Sequence, residues 1–193
     1  MSLTSVCVNI PLVVKNLTLL FIILFFAGCA STKKAVVAES LDAIPEISGS
    51  VANAAAFNKG GSLSLGVFKA GIGASADDET DQLSAMMIRG IENTLPEDNT
   101  HFTISADDRV GSDCNLEGYI ENYGRDNSAT HHKLNKNETY LSIDGDIWLR
   151  DTGEKILLFQ SSVVINLKTQ NPKTVAYQIG VAIAHFISKE STL

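Results

Sequence analysis

Leu141-Ser142-Ile143-Asp144-Gly145-Asp146-Ile147-Trp148-Leu149-Arg150 alternates apolar or small residues with larger, mostly polar ones without a break. A period of two sends successive side chains to opposite faces of an extended chain. The stretch is therefore a strand with Leu141, Ile143, Gly145, Ile147 and Leu149 on one face. Asp151-Thr152-Gly153-Glu154 is turn chemistry, and Ile156 to Leu167 runs back as a second long strand. A hairpin with one apolar face needs further strands beside it and a layer over it.

Both are visible on either side. Cys114, Leu116, Gly118 and Ile120 share one face of an earlier strand, with Glu117, Tyr119, Glu121 and Tyr123 on the other. The polar segment from Gly124 to Glu138 reads as a loop. Further back, Leu63, Leu65 and Val67 alternate as a strand that Gly71 and Gly73 break, and His101 to Ser105 is a short strand. Between these two, Asp77, Asp78, Glu79 and Asp81 form an acidic first turn, with Asp77 or Asp78 as N-cap. Leu83, Met86, Met87, Gly90, Ile91 and Leu95 then recur at helical spacing until Pro96. After the hairpin, Asn171-Pro172 opens a last helix with Val175, Ile179, Ala182, Ile183 and Phe186 as its buried stripe. The order β-α-β-β-β-β-α predicts an α+β domain: an antiparallel-rich sheet of about four to five strands with two helices packed on one face. Trp148 and Tyr119 belong to the opposite face.

The amino-terminal part has a different character. Leu17 to Cys29 is an uncharged apolar run behind a lone Lys15, too short for the ~20 apolar residues of a spanning helix. Small residues, Ala27 and Gly28, precede the cysteine, as a secretory peptidase requires. Phe26-Ala27-Gly28-Cys29 resembles the lipobox of bacterial lipoproteins. The resemblance implies a signal peptide over 1–28, cleavage before Cys29 and acyl chains on its sulfur and new amine. Ala30 and Ser31 then imply sorting to the outer membrane, with the domain facing the periplasm. No Lys or Arg occurs before Lys15, which points to translation starting at Val13 or Val14. Residues 29–61, rich in Ala, Ser, Gly and Asn, read as the lipidated cysteine and a flexible tether, and 62–193 as the periplasmic domain.

The processed chain keeps 14 Lys and Arg against 22 Asp and Glu, a net charge of −8, with no basic cluster beyond Lys33-Lys34. That balance argues against nucleic acid as a partner and leaves membrane attachment to the acyl chains on Cys29. With Cys7 removed and Cys29 lipidated, Cys114 has no cysteine to pair with, and it reads as a small buried hydrophobe.

The layout from about Ser62 to Lys189 resembles small envelope lipoproteins: the lipopolysaccharide-assembly lipoprotein, penicillin-binding-protein activator lipoproteins and the amino-terminal part of the curli-secretion lipoprotein. Leu116-Glu117-Gly118-Tyr119-Ile120 and Asp151-Thr152-Gly153-Glu154-Lys155-Ile156 are its local echoes. The resemblance is architectural and transfers no functional residue.

Candidate chemistry is sparse. Gly71-Ile72-Gly73-Ala74-Ser75-Ala76 has the form of a phosphate-cradling loop, yet the carboxylates that follow would repel a phosphate, so a plain strand-to-helix loop is expected. The acids at 77–81 fit helix capping better than Ca²⁺. His131-His132, with Glu138 or Asp126, fall short of the four convergent ligands of a structural zinc site. His185 fits an exposed position near a helix end. Asp144 and Asp146 share a strand face, where a paired-carboxylate hydrolase would need a partner across a cleft and a solvated face is the simpler reading, and no serine-elbow motif occurs. No catalytic residue, cofactor or metal is assigned. Tyr119, Tyr123, Tyr140 and Trp148 form the expected partner-binding group, an amphipathic patch if their strands align, with cover by the tether or the 124–138 loop as the equal alternative. The expectation is a non-catalytic lipoprotein that engages an envelope protein during assembly or export. The alternatives are a carrier holding a lipid or glycan between helices and sheet, and, behind both, an envelope hydrolase.

Overall fold

The structure, a computed structural model, describes residues 45–98, 101–105, 111–124 and 133–191. The signal peptide, Cys29, Asp126 and His131-His132 lie outside them. Among the described residues the elements are β1 (Ile47–Val51), α1 (Ala54–Lys59), β2 (Gly61–Gly73), α2 (Asp78–Thr94), β3 (Phe102–Ile104), β4 (Cys114–Gly124), β5 (Glu138–Leu149), β6 (Lys155–Asn166) and α3 (Pro172–Glu190).

The strands form one sheet in the order β1-β6-β5-β4-β2-β3. β1, β6, β5 and β4 pair antiparallel in succession, whereas β2 runs parallel to both β4 and β3. Three features correct the expected order. The sheet has six strands, because Ile47–Val51 pairs along β6 within the stretch read as tether. A short helix, α1, follows it, capped by Asn53, whose side chain accepts from Ala56 N–H, and it buries Phe57 edge-on to Phe102 at 5.4 Å. The third feature is that β2 is not broken at Gly71 but runs through it to Gly73. The two glycines accommodate it, since a Cβ on Gly73 would overlap the Asn122 amide, and one on Gly71 would lie 2.9 Å from Glu121 Cα. The glycine motif is thus strand backbone pressed against β4, with no phosphate cradle.

β2 gains one residue on β4 between Leu65 and Phe68 and another between Ala70 and Gly73. Val67 and Ile72, in these bulges, stand 60% and 103% exposed. Such bulges add local twist and interrupt regular pairing, here along the part of β2 beyond Leu63, where the pairing with β3 has ended.

The two long helices form where the sequence pattern places them. Asp77 accepts from the N–H groups of Glu79 and Thr80, and Asn171 accepts from Lys173 N–H ahead of Pro172. Leu83, Met87 and Ile91 of α2 and Val175, Ile179, Ile183 and Ile187 of α3 join one core with Leu116, Ile120, Leu141, Ile143, Ile147 and Leu157 of the sheet. Each such side chain, fully buried, contributes on the order of 1.5–3 kcal/mol before ordering costs. The helices cross on glycine: a Cβ on Gly90 would overlap the Tyr177 carbonyl, and one on Gly180 the Met87 carbonyl.

One row across the helix-facing side of the sheet reads Gly49-Phe159-Gly145-Gly118-Phe68 in register, from β1 to β2. The Phe159 ring lies over Gly145 and the Phe68 ring over Gly118, while Phe186 of α3 reaches Gly49. The two sheet phenylalanines also meet each other, with centroids 6.4 Å apart. Aromatic rings thus fill the places of three missing side chains.

Candidate functional site

With α2 and α3 on one face, the other face of β1, β6, β5 and β4 carries no covering element among the described residues. The side chains one step from the glycine row point outward there: Ser48 and Ser50 from β1, Leu158 and Gln160 from β6, Asp144 and Asp146 from β5, Glu117 and Tyr119 from β4. They border an open trough of about 680 Å³ whose floor includes Gly49, Gly118, Gly145 and Phe159. A second hollow of about 670 Å³ adjoins it, sharing Ser48, Glu121, Asp144 and Gln160 and adding Glu46, Asn122, Tyr140, Ser142 and Ser162.

The face is polar and acidic. Lys155 Nζ sits 2.6 Å from Asp146 Oδ2, and Lys69 Nζ 3.7 Å from Glu117 Oε2. The hydrogen bond and charge of Asp146 hold the Lys155 ammonium above the ordinary lysine range. Glu46, Glu121 and Asp144 have no cation within salt-bridge distance among the described residues. Tyr119 is 44% exposed and Leu158 38%, so an apolar spot lies among the carboxylates.

The four aromatic residues singled out from the sequence do not assemble into one patch. Tyr119 stands on the open face opposite Asp144. Tyr140 and Trp148, eight residues apart on β5, are separated by roughly 26 Å. The Trp148 indole Nε1 is buried with no hydrogen-bond partner among the described residues. Tyr123 leaves the face altogether. A register shift between Ile120 and Asn122 places Tyr123 opposite Leu141, so it turns toward the helices. Its hydroxyl donates to Glu79 Oε1 at 2.6 Å, and burial together with that carboxylate raises its pKa well above the tyrosine range.

Other candidates resolve as structure. Cys114 is buried, which raises its thiol pKa. His185 Nδ1 pairs with Asp98 Oδ2 at 2.6 Å, and Ser188 Oγ donates to the same oxygen at 3.1 Å. Ser188 is thus tied to the carboxylate and not to the imidazole, so the three form no nucleophile–base pair. No cluster of metal-ligating side chains occurs among the described residues. No helix among them is long and apolar enough to cross a membrane.

The sequence places Glu117 and Glu121 on this face without a binding role and assigns nothing to Leu158, Gln160 or the β1 serines. The alternation that buries Phe159 and Ser161 also points Leu158 and Gln160 outward, so parity was their available signal.

No known protein family matches the chain, and no curated protein matches it. Among solved structures it is similar to a PelC dodecamer from Paraburkholderia phytofirmans, at 12% identity and TM-score 0.47, over 72% of this chain and 96% of that one. A point variant of the same protein gives 10% identity and TM-score 0.46, over 72% and 93%. A minor lipoprotein from Acinetobacter baumannii gives 16% identity and TM-score 0.31, over 66% and 89%.

Proposed function

We propose that this chain is a lipid-anchored envelope protein, held at the outer membrane by acyl chains on Cys29, whose domain is a non-catalytic partner-binding module. The observation that carries the reading is the one-sided layering of the domain: both long helices occupy one face, and the other presents an open trough across four strands. The anchor rests on the apolar run and the lipobox-like Phe26-Ala27-Gly28-Cys29. A carrier would need an enclosed space between helices and sheet. At the centre of that layer Leu116, Ile120, Leu141, Ile147, Met87 and Ile183 are all 0% exposed. The hollow of about 620 Å³ between β2 and α2 lies at the margin, bordered by Lys69 and Asp81 as well as Val67 and Ile88. That favours the partner-binding role in envelope assembly or export over cargo transport.

The test is in-cell photocrosslinking with a photoreactive residue at Tyr119 and a control at Lys189 on α3. One dominant envelope protein captured from Tyr119 alone supports the reading. Equal capture from both positions, or none from Tyr119, overturns it.

A further inference from the structure

We propose that the trough receives a basic, extended protein segment laid across β4, β5, β6 and β1. The inference deepens the partner-binding reading and rests on it. Charge complementarity chooses the occupant. Two of the carboxylates on this face already have lysines, Asp146 with Lys155 and Glu117 with Lys69. Glu46, Glu121 and Asp144 have none among the described residues, and all three border the paired hollows. An anionic occupant would repel and desolvate those carboxylates, and a neutral one would answer them with uncharged donors only, whereas a Lys or Arg side chain supplies both opposite charge and charge-assisted hydrogen bonds.

The remaining chemistry suits a peptide. Tyr119 offers a half-exposed ring to a guanidinium, and exposed Leu158 offers apolar surface to the stem of a long cationic side chain. Hydroxyls and amides at Ser48, Gln160 and Ser142 can meet peptide N–H and C=O groups. The trough crosses three interstrand spacings, about 14 Å, which an extended chain covers with roughly four residues.

The experiment titrates full-chain protein in neutral detergent with fluorescein-labelled octalysine and, separately, octaglutamate, following anisotropy. Octalysine is expected to bind and octaglutamate not to bind. The double variant E121Q/D144N is expected to weaken octalysine about three- to tenfold. The control E92Q/E190Q, neutralising helix acids, is expected to leave it unchanged. Near-ultraviolet circular dichroism matching the parent establishes that the variants fold. An added 0.3 M salt, which needs no variant, should weaken the parent's binding by a comparable factor. Equal losses in both double variants, or binding insensitive to E121Q/D144N, overturns the basic-segment inference. A Tyr119 photoadduct that survives E121Q/D144N removes this inference and leaves the partner-binding reading standing. Absence of any Tyr119 adduct removes the reading itself.

Discussion

Gly90 of α2 and Gly180 of α3 meet backbone to backbone: a Cβ placed on Gly180 would stand 3.1 Å from Gly90 Cα and would overlap the Met87 carbonyl. The crossing can close this far only because neither residue carries a side chain. Replacing Gly180 by Ala forces the helices apart, at a cost of about 1–3 kcal/mol. At roughly 2–4 °C per kcal/mol for a domain of this size, a thermal melt should show Gly180→Ala several degrees below the parent. An unchanged melting temperature would mean the helices do not cross here.

Phe159 is 3% exposed, covers Gly145 and packs on Phe68. Phe159→Ala removes the ring and bares a glycine that has nothing of its own to bury. The expected loss is about 3–5 kcal/mol, read from the denaturant midpoint at constant slope. A loss under about 0.5 kcal/mol, the level of an ordinary surface change, would show that the ring is not what fills this part of the core.

Ser62 N–H and Ser62 Oγ–H both donate to Asp113 Oδ2, at 2.9 and 2.8 Å, while Asp113 N–H donates to Ser62 Oγ. These bonds favour the ionised carboxylate and hold its pKa below the ordinary 3.8. The folded pKa lies below the unfolded one, so the stabilisation is present above about pH 4 and fades as pH falls through the folded value. Asp113→Asn should therefore be less stable than the parent at pH 7, with the gap closing below pH 4. Melting temperatures at pH 7, 4 and 3 test this, and a gap independent of pH would contradict it.

The Tyr123 hydroxyl bound to Glu79 titrates above the tyrosine range. Its folded pKa exceeds the unfolded one, so its stabilisation persists below about pH 10 and is lost only as pH rises toward the folded value. Tyr123→Phe should lower stability by about 0.5–1.5 kcal/mol at neutral pH. It should leave the ultraviolet titration step below about pH 11 unchanged, since Tyr123 contributes nothing to it. A smaller step in the variant would place Tyr123 in water.

The β5–β6 hairpin, α2 and α3 were legible because each repeats its period for ten residues or more and carries its own caps or turn, such as Asn171-Pro172 and the left-handed Gly153 with φ 71°. β1 was not legible. Ile47-Ser48-Gly49-Ser50-Val51 has two large apolar residues in five, and its place comes from backbone pairing with β6, a partner more than a hundred residues away. The bulges were equally silent. A slip of one residue between Ile120 and Asn122 reverses the face of everything after it, and so Tyr123 left the aromatic group that simple alternation had assigned to it. Tyr119, before the slip, remained where alternation put it.

The glycine row has two owners. Its helix-facing side must stay bare so that Phe159, Phe68 and Phe186 can pack against it, and its other side is the floor of the trough. Under the proposed partner-binding role, drift at the rim, at positions such as Gln160, Ser48 or Asp144, would retarget recognition without disturbing the interior. Drift at Gly49, Gly118 or Gly145 would damage both at once. Among descendants of this domain, the rim is therefore expected to diversify over an unvarying glycine floor.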